Sequence, residues 1–339
     1  MTDFLPLGKL PADLLARLLA QAPIKDPRVL YGPGIGLDCA VIDLGERVLV
    51  FKSDPITFAT DDIGWYAVQV NANDVATTGA TPRWMLATLL LPEAATTQHI
   101  VEGIFDQLYR AAGALGISVV GGHTEITYDL RRPVLIGTLI GEVTREQLIV
   151  PSNAQPGDRL LLTKGVPIEG TALLAREFPQ RLAGVLSLTE LEEARQYLYT
   201  PGISVLRDAQ TAAAAGRVHA MHDPTEGGLA GALWELSEAS GRRLVVDTAA
   251  VPVPEIARKV CNAFDLNPLA TIASGALLMA AAGEDSAGIR AALEGEGITC
   301  AEIGQIEEGP AGVWQSNDEV LPRPARDEIA RVYESENTL

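Results

Sequence analysis

The chain has 339 residues, and its 44 acidic against 26 basic residues give a formal net charge of −18 at pH 7. This acidic balance argues against a nucleic-acid or anionic-membrane surface, and a phosphate-bearing ligand would therefore need metal ions. No apolar run approaches the length of a membrane span, and the three cysteines lack the C-x-x-C spacing of a zinc site.

The N-terminal segment shows no basic region followed by an apolar core, so we expect a cytoplasmic protein. Leucines recur at helical spacing from Pro11 to Gln21 and predict a short amphipathic helix. A loop containing Gly34 and Gly36 then leads into an alternating apolar segment, which we expect to form a hairpin with residues 47–51. Unlike a dinucleotide-binding loop, it precedes a strand, but its backbone N–H groups could still bind phosphate oxygens.

The most informative stretch is Asp54–Pro82, whose apolar pattern predicts a helix from Ile63 to Thr78. Asn71 and Asp74 are three residues apart and share a face of this helix, with Asn73 beside them. Such a polar cluster suits a cation or a polar ligand. Solvated polar residues on a helix surface are the alternative.

Strand and helix patterns continue to alternate after this helix. They predict strands at 83–91, 117–120 and 134–143 and a helix at 97–115. Proline, serine, asparagine and glycine interrupt the pattern at 150–158, so we expect domains at residues 1–150 and 151–339. The second half is also α/β, with helices predicted at 169–177, 188–197, 203–215, 226–240, 254–263 and 286–293, and strands at 159–163, 218–222, 244–246, 274–280 and 300–306.

Three aspartates, Asp38, Asp54 and Asp74, lie on separate elements at the ends of apolar segments, where a folded sheet can bring them together. Carboxylate oxygens are ligands of Mg²⁺, which also holds substrate phosphates. Surface turns and helix caps explain such residues equally well. Lys52 lies two residues before Asp54 in an apolar strand. It could pair with that carboxylate, reach a phosphate, or point outward from a sheet edge.

A polar segment also follows the strand predicted at 117–120. Its residues Gly122, His123 and Thr124 come at a strand end, where ligands of α/β proteins often bind. A tight polar turn is the alternative reading.

His222 ends the strand predicted at 218–222, and Asp223 follows it directly. The helix after them is expected to hold Thr225 and Glu226 in its first turn, where the helix dipole favours a ligand. His222 is a candidate general acid or base, and an ordinary strand-end histidine is the alternative.

Together these segments resemble the PurM-like superfamily of ATP-binding proteins, which includes aminoimidazole ribonucleotide (AIR) synthetase, thiamine-monophosphate kinase and selenophosphate synthetase. The resemblance extends over roughly the whole chain. Four motifs in order carry it, namely the glycine loop Gly34–Ala40, Lys52-Ser-Asp54 with Thr57, Asn73-Asp74 with Gly79–Pro82, and Gly121–Thr124.

The resemblance implies a two-domain α/β subunit whose N-terminal sheet forms a barrel across a homodimer, with ATP and Mg²⁺ as cofactors. Asp38, Asp54 and Asp74 would hold the metal. His222 and Asp223 would be the catalytic residues that act on a small-molecule acceptor. The nucleotide would contact a larger set: Gly34, Gly36, Asp38, Lys52, Asp54, Thr57, Asn73, Asp74, Gly122, His123 and Thr124.

Within the superfamily the chain is most similar to the hydrogenase maturation protein HypE, through Gly32–Ile42, Lys52–Thr57 and Asp223–Leu229. HypE closes with a Pro-Arg-Ile-Cys tail whose thiol carries the carbamoyl group that is dehydrated, whereas this sequence ends at Leu339 without that cysteine, and His222 stands where HypE usually has Arg.

We therefore expect an ATP-dependent enzyme that phosphorylates or activates a small carboxamide-type acceptor, with a maturation-type protein as a candidate partner. The alternative is an ATP-binding or partner-binding protein without turnover. The sequence does not identify the acceptor or the loop that closes over the site.

Overall fold

The computed structural model describes residues 5, 10–34, 36, 37, 39–57, 59 and 61–336. The chain divides into two compact units. The N-terminal unit comprises Ile24–Gly32 and Asp38–Leu148, and the C-terminal unit comprises Met1–Pro23, Pro33–Leu37 and Ile149–Leu339. Each unit contains one six-stranded sheet with helices, so the predicted two-domain α/β architecture is confirmed. Within the described residues no helix is both long enough and apolar enough to span a membrane.

Helix α1 (Ala12–Leu19) comes first in the chain but belongs to the C-terminal unit. The N-terminal unit begins after it. Its sheet has the order β1-β2-β3-β6-β4-β5, in which the β4–β5 pair is parallel and the other pairs are antiparallel. The elements of this unit are β1 (Val29–Tyr31), β2 (Ala40–Asp43), β3 (Arg47–Ile56), α2 (Ile63–Thr77), β4 (Thr81–Pro92), α3 (Gln98–Ala114), β5 (Ser118–Thr127) and β6 (Val134–Thr144).

Helix α2 is the core of the N-terminal unit. Every residue from Ile63 to Thr77 except Trp65 is buried, because the helix packs on β3 and β6 and against α3. Six of its fifteen residues are Ala or Val, and a helix with apolar residues on several sides is typical of a protein core. Asn71, Asn73 and Asp74 are therefore buried with it, and the reading of these residues as solvated helix polars is wrong.

The C-terminal unit has a second sheet, of order β12-β9-β11-β7-β10-β8, in which the β12–β9 pair is parallel and the other pairs are antiparallel. Helix α8 covers part of it and buries Leu229 and Leu233 beside the strand residues Leu160 and Leu244. The elements are β7 (Arg159–Thr163), α4 (Ile168–Glu177), α5 (Pro179–Leu182), α6 (Leu188–Gln196), α7 (Leu206–Ala215), β8 (Val218–His222), α8 (Gly228–Ser240), β9 (Arg243–Val246), α9 (Glu255–Ala263), β10 (Leu278–Ala281), α10 (Ser286–Gly295), β11 (Cys300–Glu307), β12 (Gly312–Gln315) and α11 (Ile329–Glu336).

Three local predictions are wrong. Strand β5 does not end at Val120 but continues to Thr127, because β4 pairs with it along this whole length. The strand predicted at 274–280 is shorter and begins at Leu278. Helix α8 begins at Gly228, so Thr225 and Glu226 precede the helix instead of forming its first turn.

Candidate functional site

Lys52 lies between two carboxylates in the N-terminal unit. Its Nζ is 3.1 Å from Oδ2 of Asp54, on the same strand, and 3.1 Å from Oδ2 of Asp74 on α2. The side chain of Asp74 is 3% exposed, that of Lys52 is 12% exposed and that of Asp54 is 34% exposed. The predicted pairing of Lys52 with Asp54 is confirmed, and the outward-pointing alternative is wrong. We call these three residues the charged cluster.

Asn71 fixes the strand that carries the charged cluster against α2. Its Oδ1 accepts a hydrogen bond of 3.0 Å from the backbone N–H of Asp54, and its Nδ2 donates one of 2.8 Å to the carbonyl oxygen of Ala67. Because the Asn71 amide bonds both to β3 and to the backbone of α2, it fixes the distance between Asp54 and the helix. The sequence placed Asn71 in a polar cluster but did not reveal this positioning contact.

Gly137 makes room for that contact. It is the register partner of Asp54 in the β3–β6 pair. A Cβ atom on Gly137 would lie 2.5 Å from Nδ2 of Asn71 and 2.7 Å from Cε of Met85. Position 137 must therefore be glycine for Asn71 to pack against the sheet.

The charged cluster contains the donor type that Mg²⁺ prefers. Among the described residues, no three His, Cys, Asp or Glu side chains are grouped so that they could hold a metal ion. Mg²⁺ is commonly held by one or two protein carboxylates, with water and substrate phosphates completing its shell. Asp54 and Asp74 fit such a shared site better than a site made by protein ligands alone.

The other predicted residues of the N-terminal unit lie in varied surroundings. Asp38 falls outside the described residues. Asn73 is fully buried on α2, and Thr57 is exposed just after β3. The segment Gly122–Thr124 is exposed within β5, so it forms part of a strand and not the predicted loop. His123 contacts Glu125 two residues further along, at 3.2 Å between Nε2 and Oε2.

A second polar group lies in the C-terminal unit. His222 is 5% exposed, and its Nε2 lies 2.7 Å from Oε2 of Glu235 on α8. Asp223, the next residue, is fully buried. His219, by contrast, pairs with Asp158 at 2.8 Å, so the two imidazoles have different partners and do not form a metal pair. The sequence missed Glu235, although it lies on the helix that follows the His222 segment.

The glycine loop predicted to bind phosphate packs on the same helix. Gly36 has a φ of +70°, and a Cβ atom there would lie 2.8 Å from the carbonyl oxygen of Glu235 and 2.9 Å from Cβ of Ala239. Glycine is therefore needed both for the backbone conformation and for the close approach to α8. Gly34, in the same loop, forms a bridge with Leu37. The structure thus brings Gly36 beside the helix that carries the partner of His222.

Two models of one protein family match most of the chain. The model of the AIR synthase related protein, N-terminal domain, matches residues 36–143, and that of the AIR synthase related protein, C-terminal domain, matches residues 155–315. The chain belongs to the AIR synthase-related, PurM-like family.

Curated relatives point to the same family. Carbamoyl dehydratase HypE of Cupriavidus necator is 30% identical over 262 residues, which cover 75% of this chain and 70% of that protein. Selenide, water dikinase of Dechloromonas aromatica is 31% identical over 263 residues, which cover 75% of this chain and 71% of that protein. The resemblance to HypE within the PurM-like superfamily is confirmed.

Solved structures share the fold. A crystal structure of the hydrogenase maturation protein HypE in complex with ATP has a TM-score of 0.66 at 24% identity and covers 92% of this chain and 91% of that chain. A crystal structure of a HypE–HypF complex has a TM-score of 0.69 at 19% identity and covers 84% of this chain and 93% of that chain.

Proposed function

We propose that this protein is an ATP-dependent enzyme that requires Mg²⁺ and phosphorylates or otherwise activates a small acceptor of the carboxamide type. The observation that carries the proposal is the charged cluster, which holds one ammonium and two carboxylates together in a domain of the AIR synthase-related family. The names of the relatives support it, since one is a carbamoyl dehydratase, another a dikinase, and a solved neighbour is a complex with ATP.

In this proposal the charged cluster would serve both a metal ion and the phosphates of the nucleotide. Lys52 now compensates one of the two negative charges of Asp54 and Asp74. Asp54 and Asp74 would hold Mg²⁺, which would supply charge neutralisation for the phosphates of the nucleotide, and the Lys52 ammonium would be placed to contact a phosphate oxygen. Phosphoryl transfer needs mainly positioning and charge stabilisation, which are the contributions that a fixed ammonium and two fixed carboxylates make.

His222 is the proposed general acid or base toward the acceptor. Its hydrogen bond with Glu235 fixes the orientation of the imidazole, and histidine is a side chain that exchanges a proton near neutral pH. Asp223, buried beside it, is proposed to hold the segment in place. Asp38, Thr57, Asn73 and the residues Gly34, Gly36 and Gly122 to Thr124 stay candidates for nucleotide contact.

Calorimetric titration of ATP, with and without Mg²⁺, tests the nucleotide site. We expect binding that depends on the metal and that Asp74→Asn weakens at least about tenfold, because the variant removes one charge from the charged cluster. Asp106→Asn is the matched control, since Asp106 is an exposed aspartate on a helix of the same unit, paired with Arg110. Binding that is absent, or equally strong in both variants, contradicts the proposal.

Acceptor-stimulated consumption of ATP tests turnover. We expect His222→Ala to lower the stimulated rate about a hundredfold, within the range of general acid–base catalysis, with ATP affinity unchanged. ATP binding without stimulation by any acceptor of the carboxamide class would instead favour a nucleotide-binding or partner-binding protein without turnover.

We also infer that the N-terminal unit pairs with a second copy of the chain. Trp84, Leu86, Val120 and Ile126 are between 38% and 58% exposed on β4 and β5, which is a large apolar exposure for a single subunit. Sedimentation equilibrium should show a dimer that Val120→Asp weakens, and a monomer at all concentrations would contradict the inference.

A maturation-type partner and a cytoplasmic location complete the proposal. The HypE–HypF complex among the solved neighbours supports the partner, and its test is binding to a purified HypF-type protein. Cys39, Cys261 and Cys300 are buried and form no disulfide, as suits a reducing compartment. Cell fractionation tests the location.

A further inference from the structure

A cavity of about 620 Å³ lies within the N-terminal unit. It is lined by the residues just before α2, by one face of α3 and by the loop between β5 and β6. Lys52, Asp54 and Asp74 are not among its described lining residues, so it is separate from the charged cluster. Its size is within the range of small-molecule sites, which is roughly 300–1,000 Å³. We call it the α3 cavity.

The close approach of α2 and α3 fixes the inner wall of the α3 cavity. A Cβ atom on Gly64 would lie 2.6 Å from the carbonyl oxygen of Ile104 and 2.6 Å from the backbone nitrogen of Leu108, so the two helices meet here without a side chain between them. The backbone N–H of Gly64 donates a hydrogen bond of 3.1 Å to Oε1 of Gln107. Gln107 lines the cavity, and its Nε2 group has no hydrogen-bond partner in the described part of the chain, so this amide is a fixed donor for a ligand.

Helix α3 also supplies an apolar floor. Ile100 and Ile104 lie one turn apart on the face that lines the cavity. Gly103 beside them leaves the helix backbone bare, since nothing lies within 4 Å of a Cβ atom built there. Glycine inside a helix is less favourable than alanine, and no neighbouring atom requires it at this position. The floor therefore suits the apolar part of a ligand that lies close to the helix.

Side chains of both charges line the same cavity. Asp61 precedes α2 and Arg131 lies in the loop between β5 and β6, and both are exposed. Neither side chain forms an ion pair or a hydrogen bond with another described residue. A ligand with a single charge would leave one of them without a counter-charge, and the net charge of −18 would also repel a simple anion. The matching ligand carries both an ammonium group and a carboxylate.

We propose that the α3 cavity binds a free zwitterion of dipeptide size. Its ammonium group would pair with Asp61, its carboxylate with Arg131, and its amide carbonyl oxygen would accept a hydrogen bond from Nε2 of Gln107. At about 30 Å³ for each water molecule in the liquid, the cavity has room for roughly twenty waters, and a dipeptide with two large apolar side chains has about twenty non-hydrogen atoms. The terminus of a protein chain carries only one of the two charges, so a free molecule fits better.

Calorimetric titration of the full chain with three related probes tests the proposal, in the absence of ATP and Mg²⁺. Leucyl-phenylalanine carries both charges, leucyl-phenylalaninamide lacks the carboxylate, and N-acetyl-leucyl-phenylalanine lacks the ammonium group. We expect saturable binding of the first probe and about fivefold weaker binding of the other two, which is reasonable for pairs of exposed charges. No binding of leucyl-phenylalanine, or equal affinity for all three probes, would overturn the proposal.

Two charge variants assign the contacts. Arg131→Gln should weaken leucyl-phenylalanine about fivefold and leave leucyl-phenylalaninamide unchanged, because that probe has no carboxylate to lose its partner. Asp61→Asn should likewise weaken leucyl-phenylalanine but not the N-acetylated probe. A variant that weakens all three probes equally would overturn the assigned contact, since the loss would then not depend on the charge of the ligand.

A third variant locates the binding. Gly103→Leu should abolish it by filling the α3 cavity without a change of charge. Gly113→Leu is the matched control, since Gly113 lies on the same helix, also has nothing within 4 Å of a Cβ atom and does not line the cavity. Equal affinities in these two variants would overturn the proposal.

The α3 cavity goes beyond the proposed function and does not depend on it. Leucyl-phenylalanine should bind Asp74→Asn as tightly as the unaltered chain, because Asp74 belongs to the charged cluster. Binding of the dipeptide without binding of ATP would refute the proposed function alone. Metal-dependent binding of ATP without binding of the dipeptide would refute the α3 cavity alone.

Discussion

Removal of the Lys52 ammonium should destabilise the N-terminal unit through Asp74. At 3.1 Å between the charged atoms, the Coulomb attraction is about 5 kcal/mol at an effective dielectric constant of about 20. Desolvation of two buried groups offsets part of it, but Lys52→Met leaves the Asp74 carboxylate, 3% exposed, without this cation. Loss of one partner of a buried pair typically costs about 3–5 kcal/mol, so we expect a loss of about 3 kcal/mol at pH 7.

The double variant separates the pair from its parts. Asp74→Asn alone leaves Lys52 with Asp54, which is 34% exposed and partly solvated, so its cost should be smaller, at about 1–2 kcal/mol. In the double variant Lys52→Met/Asp74→Asn neither buried charge remains. We therefore expect it to lose about 2 kcal/mol less unfolding free energy than the losses of the two single variants added together, and this difference is the coupling free energy.

Hydrogen exchange of α2 amides is the suitable assay, because it reports the opening free energy of this unit and not of the whole chain. The four proteins should be compared at pH 7 under identical conditions, with exchange in α8 as the internal control. Additive effects within about 0.5 kcal/mol would refute the reasoning, since residues without mutual interaction give additive free energies.

Two further predictions concern packing and pH. Gly137→Ala should destabilise the N-terminal unit by about 1–3 kcal/mol in thermal unfolding, because its Cβ would lie 2.5 Å from Nδ2 of Asn71, whereas Gly103→Ala in α3, with open space around it, should be neutral or stabilising. Burial raises the pKa of Glu169 to about 7 in the folded protein, above its ordinary 4.5, which means that the native state holds the extra proton. That contribution to stability is complete below pH 4.5 and is lost as pH rises through 7, by about 3 kcal/mol. Urea unfolding at pH 5 and pH 8 should therefore show that Glu169→Gln removes most of this loss, and an unchanged pH dependence would contradict the assignment.

The fold was predictable from the sequence because its signals are local. The alternating residues of β3 and β6 and the apolar pattern of α2 each lie within a single element, so the period and length of the pattern indicate these elements directly. Strand β5 was misjudged because Gly121 and Gly122 read as a turn. Pairing with β4 keeps this segment extended, and such tertiary pairing is not contained in the residues themselves.

The candidate site was only partly predictable. Lys52 and Asp54 are two residues apart on one strand, so their pairing follows from the pattern. Asp61 and Arg131 are far apart in the sequence, and only the packed N-terminal unit brings both to one cavity. Glu235 was missed for the same reason, because nothing near it in the sequence indicates a polar partner.

The unequal exposure of the two aspartates indicates how a ligand reaches the charged cluster. Asp74 is 3% exposed and its backbone carbonyl accepts hydrogen bonds from Thr77 and Cys39, so it is fixed within the core. Asp54, which pairs with the same ammonium, is 34% exposed. If Asp54 and Asp74 hold a metal–phosphate group as proposed, the more exposed Asp54 would be the first of the two that this group meets. On this order Asp54→Asn should slow ATP association, whereas Asp74→Asn should mainly speed its dissociation, and stopped-flow kinetics can separate the two effects.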